Sequence, residues 1–207
     1  LQRHVNEFQA DARSKGYFWP NDFPQTTLHS NDFNSATTGM APSGWTIQGT
    51  TIVANVPSST NKSAHLQDTS ASSSSSMQRS FTSQTRTFDV QFSFMQPTVA
   101  DYFRLRVLQS SLQATALITR DGHIAYRDTV NNVDVLVTPY VANTWYNVKL
   151  TVKPGSDRFD LYVNNRLLVV NEAFVNSVVT SLDTFGFNTD STSIGATYVD
   201  NTAIRFR

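Results

Sequence analysis

The chain contains no cysteine. No disulfide framework is possible, and no thiolate is available to a zinc site. Absence of cysteine does not by itself name a redox compartment, because a domain of this size can bury enough apolar surface without cross-links. Glutamate is almost missing too, with only Glu7 and Glu172. A glycosidase needs two carboxylates flanking the scissile bond, and neither Glu lies in such a pattern. The four histidines, His4, His29, His65 and His123, share no local spacing, which argues further against zinc. No run of about 18 apolar residues exists to cross a membrane as a helix. Charged residues make up 15% of the chain and cancel to a net charge of zero. Long-range attraction to nucleic acid or to an anionic membrane is therefore not expected, although local patches are. Serine-hydrolase and phosphate-loop motifs are absent.

What is present is aromatic and uncharged-polar. Among 207 residues there are 14 Phe and 7 Tyr, with Ser, Thr and Asn throughout. This is the composition of a pleated, half-buried core under a wet but weakly charged surface. Residues 145–170, WYNVKLTVKPGSDRFDLYVNNRLLVV, read as two consecutive hairpins. Tyr146, Val148, Leu150 and Val152 alternate with Asn147, Lys149 and Thr151; Pro154 to Asp157 turns the chain; Phe159, Leu161 and Val163 alternate again; and Asn164-Asn165 is a two-residue turn tolerant of positive φ.

The same reading predicts about fifteen short strands, at 28–33, 45–48, 51–55, 64–68, 77–82, 87–95, 102–109, 113–120, 123–127, 133–138, 145–153, 158–163, 166–170, 182–187 and 197–206. No helix-length segment separates any pair, so βαβ units are excluded. The expected fold class is all-β: a two-sheet antiparallel β-sandwich (jelly roll) with a short N-terminal helix. The helix is predicted from Leu1, Val5, Phe8 and Ala12, at spacings of four, three and four, with Gly16 as its stop. Prolines and a change of period place a boundary near residue 25, giving a helix and linker at 1–25 and a sandwich at 26–207. The helix is either the end of a preceding domain or an arm packing through Phe18 and Trp19. The Ser-rich stretch 58–76 reads as solvated loops around a short strand carrying His65 and Leu66. The start at Leu1, without a signal peptide or initiator Met, reads as a mature form or a piece of something longer.

Asn31-Asp32-Phe33, then Ala41-Pro42-Ser43-Gly44-Trp45, the central WYNVKLTV and DRFDLYVNNRLL, and the closing Ala196-Thr197-Tyr198-Val199-Asp200-Asn201 together resemble concanavalin A-like (laminin G-like) jelly-roll modules of the bacterial carbohydrate-binding type. These marks span residues 28–206. They are specific to the superfamily and weak for any one activity, since it holds binding modules, lectins, glucanases and polysaccharide lyases. The resemblance implies an extracellular, secreted setting, a polysaccharide ligand and a covalently linked catalytic domain in the full-length protein. It also implies a structural calcium near the join of the first and last strands. Asp32 and Asp200 stand in the matching motifs, and Asn31 or Asn201 would add an amide oxygen. The alternative is that both acids cap turns and face water.

For the ligand face, alternation points Gln91, Tyr102, Arg104, Arg106, Arg127, Asn147 and Lys149 outward. If their strands neighbour one another, these residues form one polar, locally basic groove, with Tyr102 as a stacking platform and arginine forks suited to a carboxylate. An acidic polysaccharide such as a uronate polymer follows. The plain alternative is a wet sheet face whose arginines are paired with acids. Three functions remain: a non-catalytic carbohydrate-binding module; a polysaccharide lyase using Tyr102, Arg104, His123 and Tyr126 as base and carboxylate-neutralising groups; or a structural domain that binds no glycan. The glucanase pattern Glu-x-Asp-x-x-Glu is absent. YFRLRVLQ lacks the acid expected between its arginines in an alginate-lyase strand, and there is no Gln-x-His strand.

Overall fold

The structure is a computed structural model that describes residues 26–128, 131–190 and 194–206. The predicted helix and linker at 1–25 lie outside the described residues. Alternating side chains give strands wherever the period of two is unbroken, and several of the hairpins between them turn through positive-φ residues. Among the described residues, fifteen strands, numbered in chain order, form two antiparallel sheets. The eight-stranded sheet runs β13 (Arg166–Ala173), β12 (Arg158–Val163), β11 (Tyr146–Lys153), β6 (Phe88–Met95), β15 (Gly195–Phe206), β4 (Ser63–Asp68) and β3 (Thr50–Ala54), with β1 (Thr27–Asn31) also paired to β15. The seven-stranded sheet runs β10 (Val133–Pro139), β9 (His123–Asp128), β8 (Leu112–Arg120), β7 (Phe103–Gln109), β14 (Leu182–Thr189), β5 (Ser76–Gln84) and β2 (Thr46–Gln48).

The expected turns form. Asn164 and Asn165 take φ of 48° and 65°, and Asp121-Gly122 take 51° and 71°, the backbone that two-residue hairpins require. Pro154–Ser156 is one turn of 3₁₀ helix closed by Asp157 in the left-handed region. The first strand is shorter than predicted. It ends at Asn31 because the Asn31 Oδ1 accepts the Phe33 backbone N–H at 2.8 Å and Phe33 adopts φ 56°.

Phe88, Val90, Phe92 and Phe94 of β6 face Phe103, Leu105 and Val107 of β7 and Phe185 and Phe187 of β14 across the core. All nine are buried. The aromatic rings interdigitate, with Phe92 to Phe187 at 5.1 Å and Phe103 stacked on Phe187 at 5.7 Å. His29 is buried at one end of this cluster, edge-on to Trp45 at 5.5 Å and tilted on Phe185 at 5.4 Å. Filling the interior in this way turns the intervening residues of β7, β8, β9 and β14 outward, onto one continuous face.

Candidate ligand-binding faces

The outer face of the seven-stranded sheet is built in cross-strand rows. One row pairs Ser76, Asn188, Arg104, Ile118, Ala125 and Leu136 through successive strands; the next pairs Gln78, Gly186, Arg106 and Ala116. The small residues set the relief. Ala116, Ile118 and Ala125 form a buried apolar floor, with Tyr102 packed against it. Gly186 has no side chain to rise beside Arg106, and a Cβ there would come within 2.7 Å of Gln78 Cγ and 2.9 Å of the Met77 carbonyl. A depression of about 500 Å³ opens over this floor, walled by Tyr102, Arg104, Arg120, Arg127, Asn132 and Asp134. Its size is that of a small-molecule or sugar site.

The four cations of this face are not equivalent. Arg127 donates to Asp134 Oδ1 at 3.1 Å and to Asn132 Oδ1, and Arg120 donates to the other Asp134 oxygen at 2.5 Å. Arg104 donates through Nε to the Tyr102 hydroxyl at 2.8 Å and lies over that ring. Arg106 is different. Its Nε is buried without a partner, and among the described residues no hydrogen bond or ion pair engages its guanidinium. Burial, then the positive charge of Arg104, lower its proton affinity. Across β14, Asn188 Oδ1 is likewise buried and unpartnered. Buried polar atoms left unpaired cost free energy, and their concentration here is what a ligand would relieve.

The single groove expected from the sequence divides. Tyr102, Arg104, Arg106 and Arg127 do share the seven-stranded face. Gln91, Asn147 and Lys149 belong to β6 and β11, in the other sheet, and cannot join them. They line a separate depression of about 300 Å³ with Ser93, Tyr162 and Asn201. The lyase set also disperses. Tyr126 is buried between the sheets, edge-on to Phe159 at 5.8 Å, with its hydroxyl on Glu172 Oε2 at 3.0 Å. His123 lies at the Asp121-Gly122 hairpin, its Nδ1 2.8 Å from the Asp121 carbonyl. Tyr102 is held by Arg104, and burial raises its hydroxyl above the ordinary phenol range, so an ionised base at neutral pH is not favoured there.

The sequence reading missed Gly186, Asn188, Ala116 and Ala125. Their signal was available: each sits at an outward position next to an inward Phe, Leu or Ile, in TFGFN, ATALI and HIAYR.

Asp32 and Asp200 come close enough for the charge of Asp32 to act on Asp200. Asp200 is 2% exposed. Burial first, then Asp32, pushes its carboxyl up to about 6, against the pull of the Asn201 backbone N–H. No ion pair engages either acid among the described residues. Two carboxylates forced together in this way fit a cation. The rest of the donor set is thin, since Asn31 Oδ1 already accepts from Phe33, Asn201 Nδ2 donates to Asp200, and no cluster of three His, Asp or Glu forms among the described residues.

No family model matches the chain, and no curated protein matches it by sequence. Solved structures match its fold. A sialidase superposes with a TM-score of 0.73 at 14% identity over 86% of this chain, which spans 18% of the sialidase. The alginate lyase Aly36B matches with a TM-score of 0.60 at 12% identity, over 87% of this chain and 96% of the lyase. The carbohydrate-binding module CBM66 from Bacillus subtilis matches with a TM-score of 0.52 at 16% identity, over 82% of this chain and 99% of the module. At such identities the likeness is one of fold.

Proposed function

We propose that this chain, which folds as a concanavalin A-like lectin/glucanase sandwich, binds an acidic polysaccharide on the outer face of its seven-stranded sheet. The observation that carries the reading is Arg106: a half-buried guanidinium beside Arg104, with no acidic partner among the described residues. Two like charges side by side cost energy that a polymer-borne carboxylate would cancel, and a planar fork meets a carboxylate through two parallel hydrogen bonds. The Ala116, Ile118 and Ala125 floor, with Tyr102, supplies apolar surface for sugar rings. Binding without catalysis is the favoured form, because Tyr126 and His123 do not converge with Tyr102. In this reading the domain acts outside the cell, linked to a catalytic domain whose local concentration on polysaccharide it raises.

Electrophoresis through gels containing alginate or polygalacturonate tests this. The wild type is expected to be retarded without generating the ultraviolet absorbance of unsaturated uronate. Arg106→Ala is expected to weaken binding by roughly 10- to 100-fold, the worth of a hydrogen bond to a charged group. Retardation of the variant equal to the wild type would remove Arg106 from the site, and product absorbance would assign the face to a lyase.

We further propose calcium as a structural ion held by Asp32 and Asp200, with backbone oxygens and water completing its shell. Calcium is then expected to raise the melting temperature, and a chelator to reverse the gain. Asp200→Asn is expected to abolish the response. Identical melting curves with calcium and with chelator would reject the ion.

A further inference from the structure

The depression on the eight-stranded sheet is chemically unlike the arginine face. Two rows cross it: Tyr162, Lys149 and Gln91, then Asn147, Ser93 and Asp200. A second depression of about 140 Å³, lined by Trp145, Pro57 and Asn61, shares Ser93, Asn147 and Asn201 with the first. The two are therefore contiguous. The partly buried Trp145 stands at one end and Tyr162 at the other, with side-chain amides between them.

This surface is built, not incidental. Between Asp200 and Ala203 the register of β15 against β6 shifts, and Asn201 takes φ 51° at the bulge. Asparagine accepts that conformation, and bulges of this kind re-aim a side chain. Here the bulge delivers the Asn201 side chain to the depression that Asn147 lines. At the other end, the Asn164-Asn165 turn returns across β11. Asn164 Oδ1 accepts the Asn147 N–H at 2.9 Å, and the Asn164 N–H donates to the Asn147 carbonyl at 2.7 Å. Asn147 is thus clamped through its backbone. Its side-chain oxygen is in turn taken by Ser93 Oγ at 2.7 Å, so its N–H groups remain for something else. Lys149 is fixed with Nζ 4.0 Å from the Tyr162 ring centre, where it forms no ion pair among the described residues.

The donor set states the ligand chemistry. Gln91, Asn147, Asn165 and Asn201 both donate and accept, as a hydroxyl-bearing ligand requires. Among the residues that line the two depressions, Lys149 and the buried Asp200 carry the charge and offset each other. The Trp145 indole offers a flat, rigid apolar platform for the C–H face of a sugar ring. We infer that the outer face of the eight-stranded sheet is a second glycan site, specific for a neutral polysaccharide, in which Trp145 stacks against the ring and Asn147 and Asn201 read its hydroxyls. This site stands apart from the acidic-polymer reading. The two lie on opposite outer faces of the sandwich, so one domain would hold an acidic and a neutral chain at once.

Electrophoresis through gels containing xylan, glucomannan, mixed-linkage β-glucan or levan tests it on the whole chain. At least one of these neutral polymers is expected to retard the wild type. Trp145→Ala is expected to weaken that binding about tenfold or more, a loss of about 1.4 kcal/mol. Asn147→Ala, at an exposed position, is expected to weaken it by several-fold, and keeps the test open should the tryptophan variant fold poorly. Excess soluble alginate is expected to leave retardation by the neutral polymer in place. Failure of all four polymers to retard the wild type, wild-type retardation of both variants, or displacement by alginate would each overturn the second site. Failure of alginate binding alone would overturn only the arginine-face reading.

Discussion

Replacing Phe187 by alanine is expected to lower the stability of the domain by about 3 to 5 kcal/mol. The ring is fully buried. It is stacked on Phe103 at 5.7 Å with planes 9° apart, meets Phe92 of the opposite sheet at 5.1 Å, and lies 5.9 Å from Phe185 and 6.2 Å from Trp45. Truncation removes the transfer free energy of the ring and leaves a cavity that surrounding aromatics, themselves pinned from both sheets, cannot close. For a domain of this length each kcal/mol corresponds to roughly 2 to 4 °C, so melting should fall by roughly 6 to 20 °C. Phe187→Leu fills most of the space and should cost markedly less. Urea denaturation of the three proteins measures both differences. A loss below about 1 kcal/mol for the alanine variant would mean that the two sheets do not meet at this ring. The position also bears on binding, since Gly186 and Asn188, its neighbours on β14, face the arginines across the strand. A shift of β14 would therefore be read as weakened acidic-polymer retardation alongside lost stability.

The strands were legible because alternation is local. Tyr146–Lys153 and Arg158–Val163 were predicted within a residue at each end, and Asn164-Asn165 turned where its chemistry required. The inward direction of Tyr126 beside Ile124 was also in the pattern, which already stood against its use in an open site. What alternation cannot encode is which sheet a strand joins. The consecutive strands β6 and β7 fall into opposite sheets, and β6 finds β11 and β15 as its neighbours from distant sequence. Gln91 and Arg104 each point outward as expected, but on opposite sides of the molecule. Local pairing did carry information left unused. Asp134 lies directly across from Arg127 in the β9–β10 hairpin, and this register neutralises a cation that the sequence reading had assigned to a ligand. Arg106 is legible only through the full sheet, because its lack of a partner depends on Gly186, Asn188 and Ala116 arriving from non-adjacent segments.

Acid is expected to destabilise the fold through His29 by about 3 kcal/mol as pH falls from 7 to 4 or below. The imidazole is 8% exposed, with Nε2 3.1 Å from Thr202 Oγ1 and aromatic rings on two sides. Burial, reinforced by the positive charge of Arg79, lowers its pKa from 6.5 to about 4. In the unfolded chain the ring takes up its proton near pH 6.5; in the folded chain it resists protonation until about 4. The unfolded state therefore binds more protons throughout that window. Stability is full above 6.5, falls as pH drops, and levels off below 4, each pH unit in between costing about 1.36 kcal/mol. His29→Phe removes the titration and is expected to flatten this limb, although it forfeits the bond to Thr202 and lowers stability at pH 7. Arg79→Gln should bring the folded-state pKa partway back and shrink the acid loss, while also releasing the bond from Arg79 to the Gly44 carbonyl. Urea midpoints of wild type and both variants at pH 7.0 and 4.5 decide the matter, because carboxylate titration is common to all three and cancels in the difference. Equal acid losses in the wild type and in His29→Phe would show that the ring takes up its proton at the same pH in the folded protein as in the unfolded chain.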